Sequence, residues 1–353
     1  MTDTGQPPSG ADAPATARRK ADHIRINLQE DVAGKGVTTG LERYRLVSCA
    51  LPELDLAAVD TTTEFLGHRL AAPLLISCMT GGVAEAGLLN HRLAAAAQAA
   101  GVAMGLGSAR AALEDPGMAH HFQVRSVAPD VPLLANLGAV QLNYGYTVDH
   151  CRRAVEMIEA QALVLHLNAL QEALQEGGNT NFSGLLSRIE AVCRALPVPV
   201  IVKEVGWGIH GEVARKLRDA GVAAVDVAGA GGTSWSEVER HRAPTPRLAA
   251  VAAAFAGWGQ PTADCIVECR RACPDLPLIA SGGLRTGVDA ALCIALGADL
   301  AGFAGHLLRA AAISEDAAHT ALRGIIEELR IAMFASGAGS IPLLKSGLPL
   351  QRV

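Results

Sequence analysis

No stretch of this sequence is apolar for long enough to cross a bilayer: the longest run of small apolar residues, Leu248 to Gly257, is too short and mostly alanine. Basic excess is also missing. The formal net charge is −5 with 18% charged residues, which argues against a nucleic-acid-binding face, normally basic. Aromatic residues make up only 3%, yet half of the chain is apolar, and that excludes disorder throughout. The first residues, MTDTGQPPSGADAPATA, hold no apolar core of the kind a secretory signal needs. The expectation is therefore a cytoplasmic protein with reduced thiols, no membrane partner and no nucleic-acid partner. Eight cysteines contain no C-x-x-C pair. Cys265, Cys269 and Cys273 are spaced by four along one helix face but lack an evident fourth ligand, so they read as small core hydrophobes rather than a metal or cluster site.

A length of 353 residues fits one large α/β barrel or two ordinary domains, and can bury a substantial core. Residues 1–17, rich in Pro, Gly, Ala, Ser and Thr, read as a flexible tail, followed over 18–72 by an arm and extension covering the barrel. From residue 73 onward, short apolar runs alternate with glycine-bearing turns and alanine-rich amphipathic stretches. The runs are PLLIS (73–77), VAMGLG (102–107), PLLANLG (132–138), LVLHLN (163–168), VPVIVKEV (198–205), AAVDVAG (223–229), PLIASGG (277–283) and LAGFAG (300–305). Continuous apolar runs of this kind are parallel strands buried on both faces. Between the first two, Leu89, Leu93 and Ala96 recur at helical spacing with His91 opposite, and Val155 and Ile158 do the same before the fourth. Eight strand–helix units predict an α/β fold, a (β/α)8 TIM barrel over 73–353 behind an N-terminal extension. A doubly wound sheet would carry G-x-G-x-x-G after its first strand, and GGVAEAG lacks that spacing.

Chemistry in such a barrel collects where the strands end. The first run ends in Ser77, Cys78, Met79 and Thr80; the second in Ser108, with Arg110 behind it; the third in Asn136. The fourth carries His166 and Asn168 with Gln171 and Glu172 beyond, the fifth Lys203 and Glu204, the sixth Asp226. The seventh ends in Ser281, Gly282, Gly283 and Arg285, the eighth in Ala304, Gly305 and His306. Glycine-rich turns at 228–234 and 281–287 suit a phosphate cradle built from backbone N–H groups. Lys203, in an otherwise apolar strand, needs a partner or a role: a salt bridge with Glu204, Schiff-base chemistry on a carbonyl substrate, or the electron-rich pyrimidine edge of a flavin. Glu172 suits a hard cation such as Mg²⁺, and His166 a phosphate contact or proton transfer. Arg19, Lys20 and His23 sit on an arm that could fold over the mouth and neutralise a diphosphate.

RKADHI (19–24), SCMTGG (77–82), GSAR (107–110), ANLG (135–138), HLNALQE (166–172), KEVGWG (203–208), DVAGAGGTSW (226–235) and ASGGLRTGVD (280–289) resemble, in order, the motifs of type 2 isopentenyl-diphosphate isomerase. The resemblance covers residues 19 to about 306. It implies an FMN-dependent barrel that interconverts isopentenyl and dimethylallyl diphosphate in isoprenoid biosynthesis, using Mg²⁺ and reduced flavin, with NADPH as reductant and a tetrameric or octameric assembly. By resemblance, FMN is contacted by Cys78, Met79, Thr80, Ser108, Asn136, Lys203, Thr233, Gly282, Gly283, Arg285, Ala304 and Gly305. Substrate contacts fall to Arg19, Lys20, Ser108, Arg110, His166 and Gln171, catalysis to Gln171, Lys203 and His166, and Mg²⁺ to Glu172. The chain departs from the family pattern at Ala109, where glutamine is usual, and at Gly177 and Asn179, where acidic residues are usual.

Other barrel chemistries are less well supplied. A 2-hydroxy-acid oxidase would place a His and Arg pair around glycines after a late strand, and GAGGTSW has none. An inosinate dehydrogenase would need a cysteine after the sixth strand, but none occurs between Cys193 and Cys265. A different FMN-dependent oxidoreductase, or a catalytically silent flavin-binding barrel, is the alternative.

Overall fold

In the computed structural model, residues 15–79, 81–346 and 350–353 are described. Eight parallel strands close on themselves: β1 (Leu74–Ile76), β2 (Ala103–Gly105), β3 (Leu133–Gly138), β4 (Ala162–His166), β5 (Val200–Lys203), β6 (Ala224–Asp226), β7 (Leu278–Ser281) and β8 (Leu300–Phe303), with β8 pairing back to β1. Each falls on one of the eight apolar runs, and helices packed outside the ring complete a TIM barrel. Of the tail expected at 1–17, residues 1–14 lie outside the described residues. Residues 15–17 open a helix, α1 (Ala15–Gln29), rather than continuing a tail.

Side chains alternate across a strand, and here the alternation sorts the core into two parts. Leu74 and Ile76, Val200 and Val202, and Leu278 and Ala280 point outward into the large core shared with the helices. Leu75, Ala103, Leu134, Val164, Ile201, Ala224, Ile279 and Leu300 point inward and form a separate apolar layer inside the barrel. A hairpin of Thr63–Phe65 and His68–Leu70 lies at the N-terminal end, where Phe65 and Leu70 pack onto that layer. That end is plugged. The cysteines are reduced, and the group spaced by four is packed as expected: Cys265 and Cys269 lie in the helix Thr262–Ala272, where the Cys269 thiol donates to the Ile209 carbonyl at 3.1 Å.

The opposite end is covered by the arm. From α1, Lys20 Nζ donates to the Ser108 carbonyl (2.9 Å), His23 bonds Glu239 and Asn27 accepts from Thr233. Further along, the Ser234 N–H donates to the Val32 carbonyl and the Gly34 N–H to the Gly232 carbonyl, which holds the arm against the loop after β6.

Leu70→Ala should remove an apolar side chain that is fully buried, costing about 2–5 kcal/mol through lost transfer energy and a residual cavity. Urea unfolding followed by circular dichroism would report it as a lower midpoint. An unchanged midpoint would mean that the hairpin does not plug the barrel.

Candidate functional site

Two residues beyond each member of the inner apolar layer, the same alternation aims a second ring into the barrel: Ser77, Gly105, Asn136, His166, Lys203, Asp226, Ser281 and Gly302. This ring lies at the C-terminal rim, where a cavity of about 480 Å³ opens between it and α1. Nearly all the residues singled out from the sequence line this one cavity: Arg19, Lys20, Cys78, Met79, Ser108, Arg110, Asn136, His166, Gln171, Glu172, Lys203, Thr233, Gly282, Gly283, Arg285, Ala304 and Gly305. Thr80 lies outside the described residues. The two glycines of the ring make room for neighbours: a Cβ at Gly105 would lie 2.4 Å from Cys78 Sγ, and one at Gly302 would lie 2.6 Å from Ser77 Oγ.

Lys203, 9% exposed, ends β5. Its ammonium donates to the carbonyl of Glu204 at 2.5 Å, and the salt bridge with the Glu204 carboxylate is not made. That carboxylate turns the other way and accepts from the backbone N–H groups of Gly206, Trp207 and Gly208 at 2.7, 2.5 and 3.1 Å. Burial raises its pKa, with those N–H groups opposing. The lysine therefore has N–H capacity for a ligand.

His166 sits beside it, with Nδ1 2.9 Å from Asn136 Oδ1. Burial, then the Lys203 and Lys20 charges, lower its pKa to about 3, so the imidazole is neutral. With Nδ1–H donating to Asn136, Nε2 presents a lone pair. Proton transfer by a charged His166 is thus disfavoured, and a neutral hydrogen-bonding role fits. Cys78 is held as a thiol, its pKa raised to about 11 chiefly by burial.

The segment after β4 enters a short helix, Ala169–Leu174, and its spacing brings Asn168, Gln171, Glu172 and Gln175 to one face. Glu172 Oε1 accepts from Asn168 Nδ2 (3.0 Å), and Oε2 accepts from Gln175 Nε2 (3.2 Å) and the Asn179 N–H (2.6 Å). Asn179, one of the departures from the family pattern, thus holds Glu172 through its backbone. Asn168 Oδ1 is buried without a partner among the described residues. No trio of His, Cys, Asp or Glu able to hold a metal occurs among those residues. A buried carboxylate flanked by amide oxygens, one of them orphaned, does fit Mg²⁺, which commonly takes one or two carboxylates and completes its shell with water and substrate phosphate.

Facing this group is a cluster of cations. Arg19 and Lys20 come from α1, and Arg110 follows β2, its Nε donating to Glu114 at 2.7 Å. Burial, then Arg19 and Arg110, lower the Lys20 pKa to about 7. Three cations that raise one another's cost are a site prepared for a multiply charged anion.

Across the cavity, the two glycine loops press backbone to backbone. A Cβ at Gly282 (φ 105°) would lie 2.1 Å from the Gly229 carbonyl oxygen, and one at Gly232 would lie 2.6 Å from the Gly283 nitrogen. Thr233 and the N-terminus of the helix Gly305–Ile313 complete this corner. Such a corner fits the phosphate of FMN, while Lys203 and Asn136 fit the ring. Arg285 is exposed at its edge.

Several residues escaped the sequence reading, among them Asn27 and Arg309 in the cavity lining and, behind that lining, Glu239. Glu239, 3% exposed, gathers His23 Nε2 (3.1 Å), Arg242 Nη1 (2.5 Å) and Gln171 Nε2 (3.5 Å). Burial works to raise its pKa, but His23 and Arg242 override it and the net shift is downward. A carboxylate in WSEVER at an acidic helical register gives no signal until the arm is placed over it.

The fold and the cavity together define a flavin-binding barrel. The FMN-dependent dehydrogenase family model matches residues 15–131 and 141–348. A mandelate oxidase structure with the monooxide FMN adduct superposes with a TM-score of 0.65 at 20% identity, covering 96% of this chain and 100% of that one, a likeness of fold. At closer range, a protein of Nostoc sp. (strain PCC 7120 / SAG 25.82 / UTEX 2576) named isopentenyl-diphosphate delta-isomerase is 52% identical over 98% of this chain and 99% of its own length. One of that name from Xanthobacter autotrophicus (strain ATCC BAA-1158 / Py2) is 54% identical over 95% and 97%. This chain belongs to the FMN-dependent isopentenyl-diphosphate delta-isomerase family.

An anion bound among Arg19, Lys20 and Arg110 should restore the Lys20 proton, so binding takes up a proton between pH about 7 and the ordinary lysine range. Calorimetric affinity for inorganic pyrophosphate should therefore fall as pH rises from 7 to 9, more steeply in the wild type than in Lys20→Met. Equal slopes in both proteins would contradict this.

Proposed function

We propose that this chain interconverts isopentenyl and dimethylallyl diphosphate, with FMN held at the interior ring and the diphosphate beside it under α1. The observation that carries this reading is that one cavity joins Lys203 and the glycine loops to Arg19, Lys20, Arg110 and Glu172. Shifting an allylic double bond requires a proton gained at one carbon and lost at another, through a cation-like state. Bound reduced FMN would supply a flat, electron-rich partner for that state and for the proton transfer.

The chain's own residues would do the rest. Lys203, Asn136, Ser108, Met79 and Cys78 would hold the flavin ring. Thr233, Gly282, Gly283, Ala304, Gly305 and Arg285 would hold the flavin phosphate. Arg19, Lys20 and Arg110 would grip the diphosphate, which keeps this good leaving group from departing. Glu172, beside the unpartnered Asn168 Oδ1, would hold Mg²⁺ near the diphosphate. Gln171 and neutral His166 would orient the alkene end, and α1 would keep out water that could trap the cation. A nicotinamide reductant, a cytoplasmic setting and a homo-oligomer complete the proposal. No helix among the described residues is long and apolar enough to cross a membrane.

The test is an anaerobic incubation of the protein with FMN, NADPH, Mg²⁺ and isopentenyl diphosphate, followed by chromatography for the dimethylallyl isomer. Glu172→Gln should lower turnover by about two orders of magnitude while FMN uptake stays normal. Joint loss of turnover and flavin would make Glu172 a structural residue, and wild-type protein that binds FMN without forming product would favour the silent-barrel alternative.

A further inference from the structure

Asp226 is the one carboxylate in the interior ring, and it does not line the cavity. It ends β6 and is 1% exposed. Oδ1 accepts from Ser281 Oγ at 2.6 Å and from the Ala228 N–H at 3.3 Å. Oδ2 is buried with no hydrogen-bond partner among the described residues, and so is Ser77 Oγ in the same ring. A buried carboxylate oxygen left without any partner carries a desolvation cost that a protein retains only if something compensates it.

The candidate partner is one strand away. The β5–β6 register sets Lys203 directly opposite Asp226, and both side chains point inward. The ammonium bonds the Glu204 carbonyl and not Asp226 itself, so it acts on that carboxylate through its charge, opposing the rise that burial imposes on the Asp226 pKa. On its other side, Asp226 is joined through Ser281 to the first residue of the loop that carries Gly282 and Gly283. It also anchors the turn into the other glycine loop, where Ala228 adopts a left-handed φ of 39°, a conformation a non-glycine residue holds only when its surroundings impose it.

We propose that Asp226 is a positioning residue for the flavin: it serves as the buried counter-ion of Lys203 and, through Ser281 and Ala228, ties the ring-binding lysine to the phosphate-binding loops. Asp226 touches neither flavin nor substrate; it acts by holding the ammonium in place and keeping the two ends of the flavin site in fixed relation. The proposal rests on FMN binding at this rim.

Thermal melts and fluorescence titrations with FMN and riboflavin, on wild type, Asp226→Asn, Lys203→Met and the double variant, test it. Riboflavin has no phosphate and reports the ring end alone. Asp226→Asn should weaken both flavins by about tenfold, Lys203→Met should do likewise, and the double variant should bind no worse than either single variant. Wild-type affinity in Asp226→Asn, losses that multiply in the double variant, or an effect confined to FMN would each overturn the proposal. The melts need no flavin and judge the charge coupling of Lys203 and Asp226 separately. Lys203→Met strands the carboxylate and should lower Tm, and adding Asp226→Asn should recover it. A double variant that melts below Lys203→Met overturns the pairing, even if Asp226→Asn alone fails to fold. Wild type that binds neither flavin, with Tm recovered in the double variant, would reject the flavin reading while leaving the charge coupling of Lys203 and Asp226 standing.

Discussion

An ammonium at the last position of an apolar strand constrains everything around it. Lys203 must point into the barrel, because Ile201 does and side chains alternate. It therefore sits above a sealed hydrocarbon layer, with water available only from the C-terminal mouth. Its charge suppresses protonation of His166 after burial has already done so, and it draws on the carboxylate of Asp226. Glu204, next in sequence, cannot serve as its partner because three backbone N–H groups have claimed that carboxylate. The result is a positive, partly unsatisfied point at the floor of a cavity, suited to the electron-rich edge of a planar ring.

A second electrostatic centre faces it from the arm. Arg19, Lys20 and Arg110 repel one another, and burial lowers the Arg19 and Lys20 pKa values. The arm stays over the mouth because Glu239 is ionised and bonds His23 while Arg242 neutralises it, and because backbone pairing at Val32 and Gly34 fixes the next stretch. Gln171 reaches the same Glu239, so the segment that presents Glu172 and the arm that presents the cations share an anchor. On the proposed function, a diphosphate bound there would relieve the cationic repulsion, and the relief would fall on the element that closes the site.

Most of the barrel was legible in the sequence because a strand buried on both faces shows as an unbroken apolar run, and all eight runs became strands. The site was legible for a related reason: polar residues at the tips of such runs have few other places to go. Three things were hidden. The start of α1 at Ala15, within the expected tail, is a helix boundary that a Pro-, Gly- and Ala-rich composition does not mark. The direction of Glu204 depends on the turn at 206–208, which presents three N–H groups to one carboxylate. Glu239 lies 216 residues from His23, a pairing that only the closed fold creates.

The central claim is that flavin and diphosphate are held side by side at this one rim. The most direct measurement is deuterium incorporation from D2O, followed by NMR of the product after anaerobic incubation with isopentenyl diphosphate and Mg²⁺. Deuterium in the newly formed methyl group when the protein carries reduced FMN, with none when it carries oxidised FMN or none at all, is the predicted result. Equal incorporation by flavin-free protein would contradict the account.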